Sequence, residues 1–148
     1  MPRLYSADQN FGPAEYSLGI LFKYGVGVSS NREAADKWFQ IAAKQGYTPA
    51  KHELALIAER SGQRGESLKI LREAADSGFP SSQYLMGCVV SNKVESYVWH
   101  ALAAPSIELA HLRSQELRQR LTTEQLVEAE EKIREFQGKR AGQPPTER

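Results

Sequence analysis

A short connector recurs along this chain, and self-similarity at a period of roughly 20 to 50 residues constrains architecture more than any other sequence feature. Asp8-Gln9-Asn10-Phe11-Gly12-Pro13-Ala14 lines up with Lys44-Gln45-Gly46-Tyr47-Thr48-Pro49-Ala50 and, more loosely, with Asp76-Ser77-Gly78-Phe79-Pro80-Ser81-Ser82. Ala-Ala pairs precede the second and third copies at Ala42-Ala43 and Ala74-Ala75, and another at Ala103-Ala104 precedes a degenerate connector that leads to Ala110. Each connector reads as the end of one helix and the start of the next. Gly46 and Gly78 suit the left-handed position just past a helix, and Pro13, Pro49 and Pro80 suit a first helical turn, where the missing N–H costs nothing.

A second break falls between connectors, clearest at Gly25-Val26-Gly27-Val28-Ser29-Ser30-Asn31, after which Ser30 and Glu33 have capping-box spacing. Each repeat is therefore two helices and a turn. Helices are expected near 13–24, 31–45, 49–61, 65–77, 80–90, 93–104, 107–120 and 123–137, with Thr122 and Gln125 as the capping box that opens the last. Residues 138–148 carry no apolar side chain larger than alanine, so they are expected to form a disordered tail outside the core. No sustained period-two alternation argues for strands.

The pattern carries a family resemblance. Ala14 to Val28, with its Leu18-Gly19 pair and Gly25-Val26-Gly27-Val28 turn, followed by Glu33-Ala34-Ala35-Asp36-Lys37-Trp38-Phe39-Gln40-Ile41-Ala42-Ala43-Lys44-Gln45-Gly46, resembles a nearly complete repeat of the Sel-one-like repeat (SLR) family, relatives of the tetratricopeptide repeats. Ala50 to Gly78 keeps the Ala-Ala-x-x-Gly ending but has Leu54-Ala55 in place of Leu-Gly, and the third copy keeps Met86-Gly87 and Ser96-Tyr97-Val98-Trp99-His100-Ala101-Leu102-Ala103-Ala104. The third copy and the Leu121 to Leu126 segment after it are similar to the ends of bacterial members. The resemblance implies an all-α, right-handed superhelical solenoid of about three two-helix repeats plus a C-terminal capping helix pair. It forms one domain over 1–137, with repeats near 14–46, 50–78 and 82–104 and capping helices over 107–137. In such stacks small residues set the helix spacing, here Gly19, Gly87 and the alanine pairs. Large ones fill the core: Leu18, Leu21, Phe22, Trp38, Phe39, Leu54, Ile57, Ile70, Leu71, Leu85, Trp99, Leu102, Leu117, Leu121, Leu126 and Ile133.

Chemistry is sparse. His52, His100, His111 and Cys88 share no ligand spacing, so no metal site is expected; the histidines read as surface or groove residues and Cys88 as a small buried hydrophobe. No nucleophile–base pair or phosphate-cradling loop is visible, so the chain is expected to be no enzyme and to need no cofactor. The Glu128–Lys132 run reads as a solvated helix face. A formal charge of +1 gives no field for nucleic acid, no run is long enough to span a bilayer, and no secretory leader is visible. A cytoplasmic site is expected, or a periplasmic one if a signal has been removed.

What remains is the surface made by stacking, and in related two-helix repeats the first helices line the concave binding groove. With Leu18, Leu54 and Met86 as equivalent positions, Tyr16, His52 and Tyr84 form one row and Ile20, Leu56 and Cys88 the next, with Lys23, Glu59 and Arg60 as rim charges. The partner is expected to be a protein or peptide held by an adaptor or scaffold; the alternative is an immunity protein that neutralises a toxin or secreted effector. Asp8-Gln9-Asn10 matches the end of a second helix, so the face around Tyr16, Leu21 and Phe22 is expected to be an open edge, covered by self-association or a partner.

Overall fold

A computed structural model describes residues 11–142, and all regular structure among them is α-helical. The order is α1 (Gly12–Tyr24), α2 (Arg32–Lys44), α3 (Thr48–Arg60), α4 (Arg64–Asp76), α5 (Pro80–Val89), α6 (Lys93–Ala103), α7 (Glu108–Arg118) and α8 (Thr123–Ala141). The chain divides into two compact units, with the division in sequence between Glu73 and Ala74. The Asp8-Gln9-Asn10 match lies outside the described residues.

The connectors work as their composition implies. After α2 the Gly46 N–H bonds the Ala43 carbonyl at 3.0 Å and the Tyr47 N–H bonds that of Ala42 at 3.2 Å. The third copy makes the same pair, Gly78 to Ala75 at 2.9 Å and Phe79 to Ala74 at 3.2 Å. This double closure needs a left-handed residue, and Gly46 and Gly78 stand at φ of 83° and 88°. Pro13, Pro49 and Pro80 sit in the first turns of α1, α3 and α5.

Two helix ends differ from expectation. Asn31, not Ser30, caps α2: its side chain accepts from the Ala34 N–H at 3.1 Å, while the Ser30 hydroxyl turns back to the Lys23 carbonyl. The final helix continues past 137 to Ala141, and Arg140 donates to the Ser77 carbonyl. Lys139, Arg140 and Ala141 need no core contact to be helical, because their propensities and the basic charge at a helix C-terminus suffice. The capping box of Thr122 and Gln125 forms as read.

The core is built more from alanine than from the large residues named above. Ala35, Ala42, Ala50, Ala55, Ala74, Ala75, Ala103, Ala110 and Ala129 are buried, and among large side chains so are Phe39, Leu71, Trp99 and Leu121. In the N-terminal unit Tyr16, Tyr47 and Leu54 pack on Ala42, Ala43 and Ala50. In the C-terminal unit Val94, Tyr97, Val98, Leu121 and Ala129 form the centre, flanked by Leu102, Leu117, Leu126 and Ile133. Leu18 is a correction: it is 36% exposed where a core position was expected, because no described element packs over that face of α1. Of the residues expected at the open edge, Tyr16, Leu21 and Phe22 are half-buried, while Phe11 and Leu18 of the same region are exposed. His100 is also a correction, buried at 3% exposure where a surface or groove position was expected, and Cys88 is exposed where a buried thiol was expected.

One device recurs inside the repeats. Gly19, Ala55 and Gly87 occupy equivalent first-helix positions, and Phe39, Leu71 and His100 occupy equivalent second-helix positions three residues before the alanine pair. Where the first helix offers glycine, a ring fills the space: a Cβ on Gly19 would meet Phe39 at 2.5 Å, and one on Gly87 would meet His100 at 2.7 Å. At Ala55 the Ser67 hydroxyl bonds its carbonyl at 2.8 Å, and Ser96 bonds that of Gly87 at 2.7 Å.

Candidate partner-binding face

The expected tyrosine row turns inward. Tyr16 lies 5.6 Å from Phe39 and 5.4 Å from Tyr47 between ring centroids, and Tyr84 lies 5.4 Å from His100. Both are half-buried and pack on the second helix of their own repeat. Burial, and then the Glu53 carboxylate, raises the Tyr16 phenol above its ordinary range, so it remains a neutral hydroxyl. Burial raises Tyr84 likewise, helped by its bond to the Cys88 thiol.

What the N-terminal unit presents instead is a junction of α1 and α3. Lys23 donates to Glu53 at 2.9 Å and stands 5.4 Å from the ring centroid of Tyr24, which is 65% exposed. His52 is half-buried beside this pair; burial is the main cause that lowers its pKa, and Lys23 adds to it while Glu53 opposes. Ile20 is half-buried and Leu56, its equivalent one repeat on, is 36% exposed. Glu59 is exposed, and Arg60 reaches across to Asp36 of α2 at 2.8 Å. The structure thus brings Ile20, Lys23, His52, Leu56, Glu59 and Arg60 onto the first helices of one unit, while Tyr84 and Cys88 belong to the other.

Glu53, Asp36, Tyr24 and Arg32 complete this surface and were not singled out from sequence. Equivalent positions along the repeats line up Lys23 with Glu59, whereas Lys23 pairs with Glu53, six residues earlier in α3. Opposite charges at Lys23 and Glu53 were a usable signal.

Among the described residues no group of three or more His, Cys, Asp or Glu could hold a metal, and no described helix is long and apolar enough to cross a membrane.

No family model matches the chain. Over 58 residues it is 34% identical to chitin synthase regulatory factor 3 of Schizosaccharomyces pombe, covering 39% of this chain and only 6% of that protein. Among solved structures it is similar to a Sel1 repeat protein from Oxalobacter formigenes, with 27% identity and a TM-score of 0.60 over 74% of this chain and 92% of the other. It is also similar to c5321, a protective antigen of uropathogenic Escherichia coli with an SLR fold, with 19% identity and a TM-score of 0.53 over 97% of this chain and 43% of the other. The repeat pattern and these structures agree: the fold of this chain is that of the Sel1-like repeat proteins.

Proposed function

We propose that this chain is a protein-binding adaptor that holds a protein or peptide partner on the first-helix face of its N-terminal unit, with Ile20 and Leu56 as the apolar centre and Lys23, His52, Glu59 and Arg60 around it. The observation that carries this reading is Leu56, a leucine left 36% exposed between charged neighbours on a helix whose other large side chains are drawn inward. Interfaces take this form, an apolar anchor ringed by polar groups, and a rigid helical scaffold fixes it at little entropic cost. Tyr84 and Cys88 form a second contact site on the other unit, and Phe11 and Leu18 offer the outer edge of α1 for self-association. The similar segment of the yeast protein belongs to a regulatory factor, which favours a regulatory adaptor over a toxin inhibitor.

Affinity capture from the native host with two baits tests this. The wild-type chain retains a partner that the Leu56→Glu chain loses, while both melt at the same temperature. Equal capture by both overturns the assignment of this face.

A further inference from the structure

A cleft of about 100 Å³ opens in the N-terminal unit between α1, α2 and α3. That is the liquid volume of about three waters, enough for one carboxylate group. Lys23 of α1, Arg32 of α2 and Arg60 of α3 bring one cation each to its walls, against the two carboxylates Asp36 and Glu53. Three positive and two negative groups leave one positive charge. Both carboxylates are already engaged one to one, Glu53 by Lys23 at 2.9 Å and Asp36 by Arg60 at 2.8 Å. Arg32 makes no ion pair or hydrogen bond among the described residues. The floor is apolar, made by the buried ring of Phe39 and by Ile57.

Arg32 breaks a local rule. It is the first residue of a 13-residue helix capped by Asn31, where the helix dipole and the free N–H groups favour an anion and disfavour a cation. Natural chains break such rules mostly at functional or strained sites, and the exposed Arg32 side chain stands at one such break. An anion seated in the cleft supplies it: it would meet the fork of Arg32, the nitrogens of Arg60 that Asp36 leaves uncommitted, and the positive end of α2, above a floor that excludes water.

We infer that this cleft is a carboxylate pocket that takes one aspartate or glutamate side chain of the docked protein, an inference that rests on the protein-binding reading above. It adds an element of specificity to that reading, since a partner with glutamine or lysine at the matching position leaves the extra charge unpaired.

The test needs no partner. The full chain is titrated with N-acetyl-glutamate N-methylamide, with the glutamine analogue as control, and followed by amide chemical shifts. Shifts are expected only in the residues around Arg32, Ala35, Phe39, Ile57 and Arg60, and none with the glutamine analogue. Arg32→Ala weakens binding at least fivefold without loss of melting temperature. Asp36→Asn tightens it at least threefold by releasing Arg60. Shifts spread over the surface lysines and arginines, equal affinity in the Arg32→Ala chain, or weaker binding in the Asp36→Asn chain overturns the pocket. The adaptor reading is untouched by those results, because its own test uses Leu56, which does not line the cleft.

Discussion

The ring of Phe39 occupies the place where a side chain on Gly19 would begin: a Cβ there would lie 2.5 Å from Cε1 of a ring that is only 1% exposed. Glycine inside a helix ordinarily costs about 0.5–1 kcal/mol relative to alanine, so its presence at this crossing has a steric cause. The expected outcome reverses the usual preference. Gly19→Ala lowers stability by about 1–3 kcal/mol, since the buried ring has nowhere to move. Gly138→Ala, where nothing lies within 4 Å, leaves stability unchanged or raises it by up to about 1 kcal/mol. Thermal and urea unfolding of the two variants checks the contrast.

The buried serine hydroxyls make a second prediction. Ser67 is 6% exposed and donates to the Ala55 carbonyl at 2.8 Å inside the second repeat, while the equivalent residue in the first is Ala35. The Ser67→Ala chain is expected to lose about 1 kcal/mol, the ordinary net worth of such a bond. The midpoint of urea unfolding measures it, with an unchanged slope showing that the fold is intact.

Acid sensitivity follows from His100. Burial, and then the Arg113 charge, lowers its pKa from 6.5, a bond with the Gly87 backbone partly opposes this, and its Nδ1 makes no hydrogen bond. A depressed histidine favours the folded state in its neutral form, so its contribution is complete above about pH 6.5. It is lost as pH falls further, because the unfolded chain takes up the proton first. By pH 5 the loss from this group has an upper bound of about 2 kcal/mol, and the similarly depressed His52 acts in the same window. His100→Phe, which installs the residue found at the equivalent position in the first repeat, is expected to flatten the melting temperature between pH 7 and 5. An undiminished pH dependence in that variant would show that His100 is not responsible.

Much of this was legible in the chain. Gly46, Gly78 and the prolines mark backbone conformations that few other residues adopt, so helix boundaries read from them fall within a residue or two of those observed. The alanine pairs told of close helix approach, and the three-residue periodicity told of buried stripes. Burial was harder. Leu18 has the same periodicity as Leu54, yet it is exposed while Leu54 is half-buried, and no local pattern reports which helices cover a given face. His100 reads as polar until Gly87 is seen to make room for its ring. The face-forming charges were half legible: Lys23 and Arg60 could be placed on first helices, while their partners Glu53 and Asp36 depend on how far α1, α2 and α3 approach one another.

The most direct measurement of the central claim is the hydrogen-exchange footprint of the chain with its captured partner bound. New protection is expected in α1 and α3, centred on Ile20 to Tyr24 and on His52 to Arg60. The exposed apolar residues Leu109 and Leu112 of α7 and Val127 of α8 offer the competing surface. Protection confined to α7 and α8, with exchange in α1 and α3 unchanged, would contradict binding through the first-helix face.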